Sequence, residues 1–250
     1  MPLTGFPIFN QSWSGGVKKA MTDGGEFDEY AEDYDAALAQ GLSVSGEDKN
    51  YFAQGRIMWL ADCLRQMQER PTSVMDFGCG TGSAVRFLLD VIGGESVLGV
   101  DTSPKSLEVA RRTYDSERTE FLLLGQYRPS GQLDLAFSNG VFHHIPPAER
   151  AQAVNYVYRS LRPGGLFSLW ENNPWNPGTR YIMSKCPFDH DAITLTSSET
   201  RRLLRRGGFE VIRTDFLFIF PRMLRSFRAI EPLVSRLPFG AQYQVLCIKR

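Results

Sequence analysis

The chain has no long hydrophobic run. Its greasiest stretch, FLFIF from Phe216 to Phe220, falls far short of the ~20 apolar residues that a membrane-spanning helix needs. It also lacks a surplus of either charge: Lys plus Arg number 28 and Asp plus Glu number 28. With no overall positive field to gather a polyanion, nucleic acid is not expected as a partner. Cysteine is sparse and scattered, at Cys63, Cys79, Cys186 and Cys247, with no CxxC pair. That distribution speaks against a zinc site or a disulfide framework and for buried thiols in a reducing compartment, and no metal is expected. The opening, MPLTGFPIFNQSWSGG, lacks the basic patch and apolar run of a secretory signal, so a cytoplasmic location is expected. Internal repeats and low-complexity tracts are missing too.

What is present suits one large domain. The 250 residues are 42% apolar, enough to bury a full core. Gly and Ser crowd the first two dozen residues, which reads as an arm. Steps of three and four then place Phe27, Tyr30, Ala31, Tyr34 and Leu38 on one helical face. Arg56, Trp59, Leu60, Cys63, Leu64 and Met67 make a second such face, with SGED at 45–48 as its cap. From Ser73 the rhythm changes. Short apolar runs recur at 73–76, 97–101, 120–124, 133–138, 166–170 and 209–218, mostly separated by helical patterns. The fold class expected is α/β, a mostly parallel sheet covered by helices on both faces. The last run, YQVLCIKR, has no crossover helix before it and is expected to lie antiparallel at or near an edge. Residues 1–70 are read as an arm and helical lid, and 71–250 as the core.

Within that core, VMDFGCGTG at 74–82 sets Gly78, Gly80 and Gly82 two apart behind Asp76. Glycines let the backbone turn out of the strand and approach a ligand closely, and a helix starting near Gly82 would aim its amides there. The dinucleotide fingerprint is GxGxxG, so a GxGxG turn fits a nicotinamide cofactor poorly. A carboxylate at the head of the turn favours a cationic cofactor instead. Asp101 ends the next strand, 25 residues on, where it can accept hydrogen bonds from both hydroxyls of a ribose.

Five segments in order, VMDFGCGTG, VLGVDTS, FLLLGQ, LAFSNGVFHHI and LRPGGLFSLWE, resemble the class I S-adenosylmethionine-dependent methyltransferases over roughly residues 70–250. The resemblance implies a Rossmann-like sheet of seven strands, the last antiparallel. S-adenosylmethionine would lie across the carboxyl ends of the first strands. By position, Asp76, Gly78 and Gly80 would hold its amino-acid end, Asp101 its ribose, and Thr102 would flank ribose and adenine. Gly125 and Gln126 fall where the family reads the adenine edge, with Gln in place of the more usual Asp. Asn139 would lie beside the sulfonium and its methyl.

The expected acceptor is a small molecule methylated on oxygen or nitrogen. Alternatives are a lipid-like or quinone acceptor at a membrane surface, and a nucleotide-binding module without turnover. His143 and His144 follow the fourth strand, near the expected methyl. His144 matches a histidine frequent there in the family, which either moves a proton or braces the loop. ENNPWNP at 171–177 resembles the Asn-Pro-Pro-aromatic motif of methyltransferases that act on exocyclic amines of bases. That motif belongs after the fourth strand, however, and this run follows the fifth. The long loop 172–196 offers Trp175, Arg180, Asp189 and His190, which with Glu171, Tyr30 and Tyr34 would form an acceptor pocket, and Asp189 and His190 rival His144 as the catalytic group; the alternative is a packed surface loop. Arg222, Arg225 and Arg228, at steps of three, read as a solvated basic face over a packed apolar one, so membrane association is not expected.

Overall fold

Val74, Met75 and Phe77 stand with almost no polar relief, as a central parallel strand requires when helices cover both of its faces. The computed structural model describes residues 46–186 and 189–250, so Tyr30, Tyr34 and the helical pattern around them lie outside the described residues. The described strands are β1 Ser73–Phe77, β2 Ser96–Asp101, β3 Thr119–Leu123, β4 Leu133–Asn139, β5 Leu161–Asn172, β6 Phe209–Leu217 and β7 Gln242–Lys249. They form one sheet in the order β3-β2-β1-β4-β5-β7-β6. β1 pairs in parallel with both β2 and β4, so the strand order reverses at β1 and a crevice opens beyond its carboxyl end. β7 runs antiparallel between β5 and the edge strand β6, as its missing crossover helix led one to expect.

Alternate residues of each strand feed two cores. Helices α1 Lys49–Met67, α2 Val85–Asp90 and α3 Pro104–Tyr114 cover one face, against Val74, Val97 and Phe137. Helices α4 Arg150–Ser160 and α6 Ser197–Arg206 cover the other, against Met75, Ala136 and Phe167, while α5 Pro177–Met183 lies in the connection after β5. The caps are those the sequence announces. Asp48 Oδ1 accepts from Tyr51 N, Ser103 Oγ from Ser106 N before Pro104, and Thr196 with Glu199 closes a reciprocal capping box. All four cysteines are buried free thiols.

Four expectations change. The helix after the glycine turn starts at Val85 rather than near Gly82, because Gly82 has φ +81°, which no right-handed helix admits. The fifth strand begins at Leu161 rather than 166: Leu161 pairs with Leu133 ahead of a register shift, so RPGG lies inside β5. The helix read as part of a lid, α1, packs into the sheet's own helical layer through the buried Ile57, Leu60 and Leu64. Finally, Arg222–Ile230 is a 3₁₀ helix with no buried residue, followed by α7 Glu231–Val234. Its apolar side is exposed, Met223 at 88%, so the basic face does not stand over a packed one.

A buried carboxylate fixes α1 to the far edge of the sheet. Asp215 of β6 is wholly buried and accepts from Trp59 Nε1 (3.3 Å), Arg213 Nε (2.6 Å) and Arg213 Nη2 (3.0 Å). Removing it leaves a largely buried guanidinium and an indole N–H without their acceptor. Asp215→Ala should therefore lower the unfolding free energy by about 3–5 kcal/mol in urea denaturation. A loss below about 1 kcal/mol would show that α1 is held by its apolar contacts alone.

Candidate functional site

The turn out of β1 folds back over the end of β2. Gly78 N and Cys79 N both donate to Val100 O, at 2.8 and 3.1 Å. Gly80 N donates to Asp101 Oδ2 (2.8 Å), and Asp101 Oδ1 accepts from Ser103 N (2.9 Å). Asp101 thus ties the glycine turn to the start of α3. Gly80 has φ +51°, and a side chain built on it would meet nothing within 4 Å. There is open space beside a bare backbone, as a closely held ligand requires.

Asp76, 2% exposed, stands one residue before the end of β1, and its Oδ2 has no hydrogen-bond partner. Burial, and then the charge of Asp101, push its carboxyl up to about 7 against the opposing pull of Arg56. A buried carboxylate left in that state calls for a cation. The ammonium group of S-adenosylmethionine is such a cation, and Asn139 Oδ1, at the end of β4, is a second buried acceptor without a partner. Asp76, Gly80, Asp101 and Asn139 therefore fit the cofactor implied by the sequence. Thr102 is half-buried between Asp101 and the cap Ser103. Gly125 and Gln126 are exposed just beyond β3, and Gln126 Oε1 accepts from Leu123 N, so that oxygen is turned to its own strand.

The second group gathers behind β4 and β5. Glu171, 1% exposed on β5, accepts from Phe142 N through Oε1 (2.7 Å) and meets His143 Nδ1 through Oε2 (2.5 Å). His143 Nε2 lies 3.4 Å from Asp189 Oδ1, and His144 Nε2 lies 3.5 Å from the same oxygen. Burial opposes protonation of His143, but the charge of Glu171 and the hydrogen bond to Asp189 outweigh it and raise its pKa. His144 moves the other way: burial, then the charge of His143, lower it to about 4. His143 O accepts from Ile193 N, and Arg150 donates to the carbonyls of Ile145 and Ile193, which pins the end of the long loop to this turn.

The structure separates the candidates that the sequence grouped. His143, His144, Asp189 and Glu171 come together, but Glu171 does so as a buried anchor with both oxygens engaged, not as a pocket wall. His190 is turned out to solvent beside Asp191, its side chain 87% exposed. Trp175 and Arg180 are exposed as well. Asn173, the residue that invites the base-amine reading, is spent on the scaffold: its Nδ2 donates to Pro238 O and Gly240 O, and its Oδ1 accepts from Trp175 N. One residue of the crevice was read only as part of a helical stripe. Arg56 is buried, donates to Gln242 Oε1 (2.8 Å) and bears on the charge of Asp76. A cation in the middle of an apolar stripe is the signal that could have marked it.

A family described as a methyltransferase domain matches residues 74–165. The chain is 31% identical over 150 residues to an uncharacterized methyltransferase of Synechocystis sp., covering 56% of this chain and 68% of that one. It is 30% identical over 155 residues to a trans-aconitate 2-methyltransferase of Methylobacterium nodulans, covering 60% of this chain and 59% of that one, less than two thirds of its length. Among solved structures it resembles magnesium protoporphyrin IX methyltransferase of Synechocystis with bound S-adenosylhomocysteine, with a TM-score of 0.61, 17% identity, and coverage of 93% and 100%. At that identity the likeness speaks for the fold.

The state of Asp76 generates a pH dependence. Its raised pKa leaves it protonated below about 7, whereas a bound ammonium favours the carboxylate, so binding must expel a proton on the acid side. Affinity for S-adenosylhomocysteine should therefore fall by up to about tenfold per pH unit below pH 7, by calorimetry in buffers of different ionisation heat. Asp76→Asn should bind more weakly at pH 8 and lose the slope. An unchanged slope in that variant would assign the proton to another group.

Proposed function

The chain belongs to the class I S-adenosylmethionine-dependent methyltransferases, and from that premise we propose that it methylates an oxygen or nitrogen of a small-molecule acceptor in biosynthesis. The observation that carries the reading is the buried Asp76, its Oδ2 unpartnered, beside the open backbone of Gly80, where the order of the parallel strands reverses at β1. When bound, S-adenosylmethionine supplies an electrophilic methyl on a sulfonium. Asp76 holds the ammonium, Asp101 the ribose, and Asn139 stands beside the transferring centre. With a good leaving group in place, the protein's main task is to align the acceptor. A group that takes a proton is needed where the acceptor atom carries one, and His144 is the open member of its cluster, 19% exposed against 3% for His143. The relatives named for trans-aconitate support a small acid as the acceptor, and the buried Arg56 gives the crevice a cation.

A second reading, an acceptor taken from a lipid surface, is favoured by the segment between β6 and β7. Met223, Phe227 and Leu233 are exposed there, with Arg222 and Arg225 at the surface. No described helix is long and apolar enough to cross a membrane, so such contact would be peripheral.

Incubation with isotope-labelled S-adenosylmethionine and metabolite extract, followed by mass spectrometry, should yield a labelled small molecule. His144→Ala should lower kcat roughly 100-fold or more while leaving affinity for S-adenosylhomocysteine unchanged. A parallel loss of cofactor affinity and stability would make His144 a brace. In the lipid reading the protein sediments with anionic vesicles and Met223→Asp releases it; absence of sedimentation rejects that reading.

A further inference from the structure

The separations around Asp189 Oδ1 are longer than those of well-formed hydrogen bonds. His143 Nε2 at 3.4 Å and His144 Nε2 at 3.5 Å are both too far for good N–H···O bonds, which lie at about 2.7–3.2 Å. Two imidazole nitrogens nevertheless converge on one oxygen of a carboxylate only 7% exposed. The three donor atoms lie within 4.8 Å of one another.

Ligands of a single ion do show such separations. With bonds of about 2.1 Å, neighbouring ligands of a tetrahedral zinc stand about 3.4 Å apart. Octahedral coordination at the same bond length would bring them to about 3.0 Å. The two distances to Asp189 Oδ1 match the tetrahedral edge. The environment of His143 agrees: its Nδ1 is held by Glu171 Oε2, which fixes the ring and leaves Nε2 as the atom facing Asp189. A carboxylate behind the histidine is the usual companion of a metal ligand. The guanidinium of Arg150 donates to the carbonyls of Ile145 and Ile193 rather than to either carboxylate.

We propose that His143 Nε2, His144 Nε2 and Asp189 Oδ1 form a zinc site of three protein ligands, with Glu171 as the positioning residue behind His143 and the fourth position left for an oxygen ligand. The inference deepens the methyl-transfer reading and rests on it only for that fourth position, where an oxygen of the acceptor would bind. His144 is then a ligand instead of the group that takes the proton. The two roles separate experimentally: as a ligand it makes transfer sensitive to a chelator, and as a proton acceptor it does not.

The test uses the full chain, stripped with a chelator, exchanged into pH 7.5 buffer and titrated with zinc chloride by calorimetry and with cobalt chloride by visible absorption. One equivalent should bind, and cobalt should give the strong visible bands of a tetrahedral site. Asp189→Asn and His144→Ala should each weaken zinc binding by about 100-fold or more, Glu171→Gln by about 10–100-fold, and the exposed His190→Ala not at all. Melting curves of the metal-free variants identify any that fail to fold, and the wild-type titration decides the matter without them. No stoichiometric binding, or zinc affinity indifferent to both Asp189→Asn and His144→Ala, would overturn the site. The metal titrations do not involve methyl transfer, so failure of the site and failure of the functional reading are told apart.

Discussion

Three of the parallel strands carry acids at or near their ends, two of them buried, and the cost of burying a carboxylate organises that end of the sheet. Asp76 stands one residue before the end of β1, Asp101 closes β2 and Glu171 stands one residue before the end of β5. A charge removed from water must be met by hydrogen bonds or an opposite charge, or it gives up its ionisation. Asp101 is met by the amides of Gly80 and Ser103, and Glu171 by the amide of Phe142 and the ring of His143. Asp76 is not met in this way, and its pKa rises. Two of these acids shape loops, therefore, and the third is available to a cationic ligand.

The rest of the molecule keeps those strand ends in register. On one side the glycine turn is stitched to β2 through Val100 O and Asp101. On the other, the run after β5 is bolted to the connection before β7: Asn173 reaches Pro238 and Gly240, Asn176 reaches Phe239, and Thr179 reaches Ala241. What the chain spends on these backbone contacts it cannot use for recognition, so a motif that looks like a binding element serves as a fastening. The buried Asp215 does the same for α1, holding Trp59 and Arg213 together at the sheet edge. Both devices place the crevice between rigid walls, where alignment of two reactants is the chief demand on the protein.

Much of this was legible in the chain. The alternation of apolar runs with capped helices announced a parallel sheet because strand and helix periodicities and cap chemistry are local properties, carried by neighbours in sequence. The glycine turn was legible for the same reason, since a positive φ at Gly80 is a demand on one residue. The grouping of acceptor residues was not. Glu171, Trp175, Arg180, Asp189 and His190 come from one long loop and the strand before it, and nothing in their spacing says which turn inward. Packing drew Asp189 in and left His190, its neighbour, in solvent.

The sequence by itself determined the fold class, the cofactor turn and the identities of its acidic residues, because each is written in fewer than about ten consecutive positions. Only the tertiary structure decided that Glu171 anchors His143 across 28 residues, that Arg56 meets Gln242 across 186, and that three side chains from two loops converge on one point. Such contacts depend on how strands 4.7–4.9 Å apart are ordered and how their connections pack. That ordering sums many weak interactions over the whole chain, and no short window of it carries the result.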